Sequence, residues 1–320
     1  MSFCLTVRML IDLNASCKFC GGFDFLIFQA KERMLQMPGE FTYRECQSCQ
    51  SLQLIDIPEN LSDYYPVDNY YSQAPLVESS ILKNKLKSLR LKLFLKSSFS
   101  FLAPSYGYWL KKVSPKRNHR IADLGCGNGQ LLYEMYASGY ENLEGFDPFM
   151  PDTKRLNSNL VLWKKPFEDS IGFFDLIMMH HAFEHMADPK AILELCFEKL
   201  NPGGKLLIRT PVTDAEVWKE KREMWVQLDA PRHLVIPSVK GFSLLAEDLG
   251  FSLDEVVFDS TEFQFWGTAL YEQGFPLNPD LVNSTFTSRE LVEMKKNALR
   301  LNLEGKGDQV CFYLTKPIKS

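Results

Sequence analysis

The sequence IADLGCGNGQLLYEMYASG, residues 121–139, decides the fold, because an apolar run enters a glycine-rich loop that opens into a helical pattern. Glycine is favoured where the backbone passes close to a ligand at the start of a helix. Gly125, Gly127 and Gly129 are spaced GxGxG, whereas a dinucleotide site favours GxGxxG. Asp147 follows in GFDP, at the expected end of the next strand, where a carboxylate can accept hydrogen bonds from both hydroxyls of a ribose. The two motifs together predict a nucleoside-binding loop.

Apolar runs alternate with helical segments from His119 onward, at spacings suited to βα units. This pattern favours an α/β fold with a Rossmann-like, mainly parallel sheet that is covered by helices on both faces. We expect strands near residues 120–124, 142–146, 159–163, 174–179, 204–209, 252–258 and 309–315.

The composition bounds the class of protein. The chain has 320 residues, of which 45% are hydrophobic, enough for a full-size core and a small accessory module. A net charge of −4 argues against a surface built as a whole to hold nucleic acid or anionic lipid. The N-terminus lacks a secretory signal pattern, and no stretch is uninterruptedly apolar for the roughly 18 to 20 residues that a bilayer requires. We therefore expect a cytoplasmic protein.

Four of the eight cysteines form two CxxC pairs, Cys17 with Cys20 and Cys46 with Cys49. In a reducing compartment this spacing indicates a metal site rather than disulfides, and four thiolates suit a tetrahedral Zn²⁺ at about 2.3 Å. Such a closed site is structural, since a β module of about forty residues buries too little apolar surface to fold without metal. A redox dithiol or an iron centre is the alternative.

The sequence divides into three parts. A zinc-binding module is expected at residues 1–60, a connector at residues 61–118, and the α/β domain at residues 119–320, with an insertion at 259–307 before the last strand. The second half of the insertion is helical in composition, and we expect the insertion to cover the acceptor site. The connector begins with Tyr64, Tyr65, Tyr70 and Tyr71.

The connector continues into a basic stretch, because no Asp or Glu occurs from Ser79 to Ala122. Leucines recur there at three- and four-residue spacing, which predicts an amphipathic basic helix; they are Leu82, Leu86, Leu89 and Leu93. The basic residues of segment 83–120 form either a solvated face or a peripheral contact with an anionic membrane.

The motifs IADLGCGNG, GFDP, FFDLIMMHHAFEH and LNPGGKLLIRT, in this order, resemble those of class I S-adenosylmethionine-dependent methyltransferases. Within that class the chain most resembles the polysaccharide-biosynthesis type, whose pattern continues with D-x-P-x-H, here residues 229–233. The resemblance implies a seven-stranded sheet with an antiparallel last strand, and S-adenosyl-L-methionine as cofactor. It assigns Asp123 to the amino end of the methionine moiety, Asp147 to the ribose, and Phe167 and Glu168 to the adenine. The expected cofactor-binding residues are Asp123, Gly125, Cys126, Gly127, Gly129, Asp147, Pro148, Phe167, Glu168 and His180.

The resemblance also indicates an acceptor. Similar zinc modules precede this domain in relatives that act on sugar nucleotides and surface polysaccharides, so we expect O-methylation of a sugar or glycan. A hydroxyl acceptor needs a base that works near neutral pH, and histidine is best tuned for this. Position favours His233 as the catalytic base or substrate ligand, followed by His181. His185 is expected to fix the start of the following helix together with Glu184.

Three other functions compete with this interpretation. A nucleic-acid methyltransferase is the first, but MHHAF stands where enzymes that methylate exocyclic base nitrogens carry [DN]PP[YF], so no nucleic-acid partner is expected. The second is a catalytically inactive homologue that still binds the cofactor. The third, an NAD-dependent dehydrogenase, ranks lowest because NPGG before the fifth strand is not expected of it. The sequence leaves the oligomeric state open.

Overall fold

A computed structural model describes residues 15–65, 75–96, 100–104 and 106–318. Tyr70 and Tyr71 of the connector lie outside the described residues. The strands are β1 (Phe25–Lys31), β2 (Glu40–Cys46), β3 (Leu52–Leu54), β4 (Arg120–Leu124), β5 (Asn142–Phe146), β6 (Lys154–Arg155), β7 (Leu160–Trp163), β8 (Phe174–His180), β9 (Leu200–Pro211), β10 (Val235–Ile236), β11 (Ser252–Phe258) and β12 (Gln309–Thr315).

The larger sheet has the strand order β11-β12-β9-β8-β4-β5-β7-β6. Strands β9, β8, β4, β5 and β7 are mutually parallel, whereas β12 lies antiparallel between β9 and β11. All seven expected strands are present, and the predicted antiparallel last strand is confirmed. The eighth strand, β6, is a two-residue edge strand that pairs antiparallel with β7.

The central strands are apolar on both faces because helices cover both sides of the sheet. Ile121, Ile177 and Leu206 are fully buried in β4, β8 and β9. The helices are α1 (Ile81–Lys96), α2 (Gly107–Val113), α3 (Gln130–Ala137), α4 (Pro189–Lys199), α5 (Glu216–Lys221), α6 (Val239–Asp248), α7 (Phe263–Glu272), α8 (Val282–Thr285) and α9 (Ser288–Leu303).

Local sequence fixes where several of these helices begin. Asp188 caps α4 by accepting from the backbone N–H groups of residues 190 and 191, with Pro189 at the first helical position. Thr287 and Glu290 form a capping box at the start of α9, within the predicted helical half of the insertion. The expectation that His185 fixes the start of α4 is wrong, since Asp188 performs that role.

Helix α1 confirms a helix in the basic stretch, and the leucines of the sequence pattern lie on its outer side. Leu91 and Phe94 are 2% exposed and pack inward, whereas the four leucines of the sequence pattern are exposed. Spacing alone cannot choose the buried side here, because LRLKLFL places apolar residues on two opposite sides of the helix. The side with Phe94 faces inward because the Phe94 ring packs on Gly107 and on the ring of Tyr108, with 5.4 Å between the two ring centroids.

The smaller sheet, β1-β2-β3-β10, is antiparallel and joins the N-terminal module to the α/β domain. Strand β10 follows the DAPRH segment in sequence, and its Val235 pairs with Gln53 of β3. The two parts also share a core in which Tyr43 packs with Trp218 and Trp225, all 1% exposed or less. Among the described helices, none is both long enough and apolar enough to cross a membrane.

Candidate active site and metal site

The glycine loop lies between β4 and α3, at the carboxyl edge of the larger sheet. Gly125, Gly127 and Gly129 all have positive φ angles, of 69°, 53° and 80°, which other residues rarely adopt. A Cβ at Gly125 would lie 2.6 Å from the Cβ of Ala182, so the loop approaches the segment after β8 closely. Glycine is therefore required here by backbone conformation and by packing.

Asp147 lies just after β5 and forms a hydrogen bond with the glycine loop. Its Oδ2 accepts from the backbone N–H of Gly127 at 3.0 Å, and its Oδ1 accepts from that of Phe149 at 2.9 Å. Each carboxylate oxygen keeps further lone pairs, and the residue is half-buried. The carboxylate is thus held rigidly at the mouth of the loop, where it can accept hydrogen bonds from a ligand.

Asp123, two residues before the loop, is 3% exposed, and its Oδ1 has no hydrogen-bond partner among the described residues. Burial and then the charge of Asp147 raise the pKa of its carboxyl to about 8. A buried acceptor without a donor is costly unless a ligand supplies one. A cationic amino group would satisfy this oxygen and favour the ionised form, as the assignment to the methionine end of the cofactor requires.

Of the other residues predicted to bind the cofactor, three beside the loop are at least partly exposed and Phe167 is buried. Cys126 is half-buried beside the loop, and Pro148 and Glu168 are exposed near it. Phe167 is 4% exposed, and its ring packs against Phe146 at 5.1 Å and Phe174 at 5.6 Å between centroids. The ring of Phe167 is therefore part of the core, and the assignment of Phe167 and Glu168 to the adenine stays a prediction.

A cleft of about 260 Å³ lies on the same edge of the sheet, next to the start of α3. It is lined by Tyr106, Trp109, Gln130, Leu131, Glu134, His180 and Arg209. The ring of Trp109 lies 4.5 Å from that of His180, and the Arg209 guanidinium lies 5.2 Å from the Trp109 ring. Trp109 was missed at the sequence level, since nothing in the connector indicates that α2 reaches this edge. Arg209 follows the apolar run of β9, and a charged residue at that end of a strand could have indicated that it lines the cleft.

The ring of His180, in this cleft, has hydrogen-bonding capacity that no described residue uses. Both ring nitrogens are buried and have no partner among the described residues. Burial, and then the neighbouring Arg209 and His181 side chains, lower its pKa to about 3. At neutral pH the ring is therefore uncharged and offers one donor and one acceptor to a ligand.

His181 is fixed through both of its ring nitrogens. Arg209 donates to Nε2 at 2.7 Å, so Nδ1 carries the proton and points to Glu184, 3.3 Å away. Glu184 is fully buried; burial works to raise its pKa, but the adjacent His181 imidazole lowers it to about 2. His181 also has a positive φ of 52°. These contacts favour a positioning role, and its role as a base stays a prediction.

His233 lies in the interior beside the N-terminal module. Its Nδ1 donates to the backbone carbonyl of Gln227 at 2.7 Å, which leaves the Nε2 lone pair free, 3.9 Å from Asp229. Burial and then the nearby His185 lower the pKa of His233 to about 4. His233 is therefore an uncharged acceptor at neutral pH. Its role as the base stays a prediction.

Two residues without a predicted chemical role meet beside His233. His185 Nδ1 lies 2.9 Å from the carbonyl of Arg232 and 3.1 Å from the hydroxyl of Tyr65, and its ring lies 4.9 Å from that of His233. Tyr65 belongs to the tyrosine-rich connector, so part of that pattern contacts the segment after β8 at the carboxyl edge of the sheet.

The N-terminal module holds the DAPRH segment by direct contacts. Tyr43 donates to the backbone carbonyl of His233 at 2.8 Å. Arg232 is fully buried between Glu32 of the module, at 2.7 Å, and Asp229. Because a buried cation needs its counterions, this cluster fixes the segment against the module.

The four CxxC cysteines converge, and their Sγ atoms lie within 4.8 Å of one another. The Cys17–Cys49 and Cys20–Cys46 distances are both 3.6 Å, close to the roughly 3.8 Å edge of a Zn–S tetrahedron with 2.3 Å bonds. Gln53 donates to Cys17 Sγ at 3.1 Å, as a group outside the ligand shell does. The donor set therefore fits Zn²⁺.

Comparisons with known proteins agree with this geometry. A family model described as "Methyltransferase domain" matches residues 94–256. The chain is 26% identical over 166 residues to tRNA U34 carboxymethyltransferase of Azotobacter vinelandii, covering 44% of this chain and 49% of that protein. It is 24% identical over 121 residues to ubiquinone biosynthesis O-methyltransferase of Ralstonia nicotianae, covering 34% and 50%.

Among solved structures, a sarcosine dimethylglycine methyltransferase from Galdieria sulphuraria, described there as putative, is similar with a TM-score of 0.45 and 16% identity. That match covers 72% of this chain and 87% of the other. The chain spans about half the length of the two curated relatives above.

Proposed function

The chain belongs to the methyltransferase domain family, whose class I members depend on S-adenosylmethionine, and from this premise we propose that it methylates an acceptor hydroxyl. The observation that carries the proposal is the unpartnered, buried oxygen of Asp123 beside the glycine loop and Asp147. A ligand with an amino group and a ribose would explain why the Asp123 carboxyl has no donor and lies next to the glycine loop and the cleft.

Residues at the edge of the sheet would hold the cofactor. Asp123 would take the amino group, the backbone of the glycine loop would lie against the ligand, and Asp147 would accept from the ribose hydroxyls. When bound, S-adenosylmethionine supplies a methyl group on a sulfonium that needs no further activation. The protein's own task is then to orient the acceptor and to exclude water. Trp109 and Leu131 line the cleft with apolar surface suited to that task.

The reaction also requires a group that accepts the proton of the acceptor hydroxyl. We infer that His233 accepts it, because its Nδ1–H is fixed on a carbonyl and its Nε2 is free and uncharged. The contacts of Tyr43 and Arg232 with the N-terminal module would keep this ring in place. The module thus acts in positioning, and we propose that its four cysteines bind a structural Zn²⁺.

We propose a sugar or saccharide-related hydroxyl as the acceptor. The small volume of the cleft and the aromatic ring of Trp109 are compatible with a single sugar ring. This proposal rests on the resemblance of the zinc module to those of sugar-modifying relatives and on the fit of the cleft.

A nucleic-acid acceptor is the second candidate, and the comparisons favour it over a saccharide. The tRNA U34 carboxymethyltransferases match over the same domain at 24–28% identity, and they are named for their action on tRNA. The ubiquinone-biosynthesis relative is named for O-methylation. These relatives therefore lean against the expectation of no nucleic-acid partner, and an acceptor test must include RNA.

The test is an acceptor screen with methyl-labelled S-adenosylmethionine and the zinc-loaded protein. Sugar nucleotides, oligosaccharides and unmodified total tRNA are incubated in parallel, with the Asp147→Ala variant as control. Label transferred to a saccharide and abolished in the variant supports the first proposal. Label in tRNA alone overturns the saccharide acceptor in favour of the second candidate, and label in neither class contradicts both.

A further inference from the structure

Helix α1 is apolar on two opposite sides, and only one of them faces the protein. Leu91 and Phe94 form the inner side and are 2% exposed. The outer side carries leucines at three- and four-residue spacing, which places them in one line along the helix. These are Leu82, Leu86, Leu89 and Leu93, exposed by 70%, 59%, 52% and 47%. We call this line the leucine stripe.

Basic residues flank the leucine stripe on both sides. At about 100° per residue, Lys85, Lys92 and Lys96 lie along one border and Lys83 and Arg90 along the other. All five side chains are exposed. The four lysines form no ion pair with a described residue, whereas Lys87, on the inner half, pairs with Glu134 at 2.7 Å. No Asp or Glu occurs from Ser79 to Ala122, so the border is cationic along its length.

The exposed apolar surface continues beyond the leucine stripe. Val77 and Ile81, before and at the start of α1, are 70% and 78% exposed. Several large apolar side chains exposed on one helix and just before it indicate an interaction surface rather than scattered solvent-facing residues.

We propose that this face of α1 binds an anionic membrane surface. A helix lying in the interface buries apolar side chains among the acyl chains, while flanking lysines extend their stems and place their ammonium groups among the lipid phosphates. The arrangement uses both features of the surface at once. A nucleic-acid backbone would use only the cations. A second copy of this helix would bring like charges together on both borders.

The position of α1 gives this surface a link to the candidate active site. Phe94 on the inner side of α1 packs on Tyr108 of α2, and the next residue, Trp109, lines the cleft beside His180. Membrane binding would therefore hold the cleft close to the bilayer surface. The inference does not depend on which acceptor the cleft takes.

The test uses the full-length, zinc-loaded protein and sedimentation with vesicles. One set of vesicles contains phosphatidylserine and phosphatidylcholine in a one-to-two ratio, and the other contains phosphatidylcholine alone. We expect binding to the anionic vesicles that weakens as salt is added. Leu82→Ser/Leu86→Ser should weaken binding by at least about tenfold, since each leucine contributes buried apolar area. Lys85→Gln/Lys92→Gln should weaken it about fivefold per lysine.

Matched control variants come from α9, which also carries exposed leucines and lysines. Leu299→Ser/Leu303→Ser and Lys295→Gln/Lys296→Gln remove the same side-chain types from another surface helix and should leave vesicle binding unchanged. None of the exposed α1 or α9 positions contacts the glycine loop. Calorimetric binding of S-adenosylhomocysteine should therefore be the same in every variant, which separates this inference from the proposed function.

Three results would overturn the proposal. The first is absence of binding to anionic vesicles at low salt. The second is binding of RNA that is weakened by the lysine variant and unaffected by the leucine variant, which would assign the face to phosphate contacts. The third is a dimer in sedimentation velocity that dissociates in Leu82→Ser/Leu86→Ser, which would assign it to a second copy of the chain.

Discussion

Replacing Asp123 with Asn should stabilise the fold and weaken ligand binding at the same time. Burial and the Asp147 charge raise the pKa of this carboxyl from 3.8 to about 8, so the folded protein retains a proton that the unfolded chain releases. The folded state binds more protons, and the contribution of Asp123 to stability therefore falls as pH rises from about 4 to about 8. At pH 7 the accumulated cost is about 4 kcal/mol, from 1.36 kcal/mol per pKa unit.

Asn cannot ionise, so the variant escapes this cost but still buries a polar group without a partner, at about 1–3 kcal/mol. We expect Asp123→Asn to be about 1–3 kcal/mol more stable than the parent protein at pH 7, with the gain lost between about pH 6 and about pH 4.5 as pH falls. Urea unfolding at several pH values, followed by circular dichroism, measures the difference. In parallel, calorimetry should show weaker S-adenosylhomocysteine binding, because the amide oxygen can accept from the ligand's ammonium group but carries no negative charge.

Two results would refute this prediction about Asp123. A stability difference that does not change with pH would mean that the Asp123 carboxyl is not protonated in the folded protein. Unchanged binding of S-adenosylhomocysteine would mean that its unpartnered oxygen is not the ligand's contact.

The remaining predictions concern the loop, the metal site and the base. Gly125→Ala should lower the free energy of unfolding by about 1–3 kcal/mol and weaken cofactor binding, because φ is +69° and the new Cβ would meet Ala182; urea unfolding and calorimetry measure both. Cys46→Ser should lower bound zinc, measured by mass spectrometry, and lower the melting temperature, and retention of one zinc per chain would contradict the metal assignment. His233→Asn should lower turnover by about 10²–10⁴-fold, whereas His119→Asn should not, and near-parent turnover in both would refute the assignment. Since the pKa of His233 is about 4, turnover of the parent protein should stay level from about pH 5 to 7 and fall only below that range.

The sequence predicts the larger sheet well because its signals are local. The run IADL before a glycine loop, and the buried apolar runs of β8 and β9, show where strands lie and that helices cover both faces. The positive φ angles of the three glycines and the contact of Asp147 with Gly127 follow from the same motif. The CxxC spacing likewise predicts that four thiols converge.

Contacts between distant segments could not be predicted in this way. The pairing of Val235 with Gln53, which joins the N-terminal module to the α/β domain, has no local pattern. Trp109 reaches the cleft only because of the path of the connector. Phe167 lies in the expected loop, but its ring is buried by Phe146 and Phe174, which no spacing rule reveals. The leucine spacing of α1 identifies a helix, while the choice of its inner side depends on the fit of Phe94 against α2.

The measurement that tests the central claim most directly is calorimetric titration of the zinc-loaded protein with S-adenosylhomocysteine, with NAD as the control ligand, in the parent protein and in Asp147→Ala. We predict binding of S-adenosylhomocysteine alone, with a dissociation constant on the order of micromolar, weakened at least about tenfold by the substitution because Asp147 accepts from the ribose. Absence of binding, equal binding of NAD, or equal affinity in the variant would contradict the assignment of the glycine loop to this cofactor.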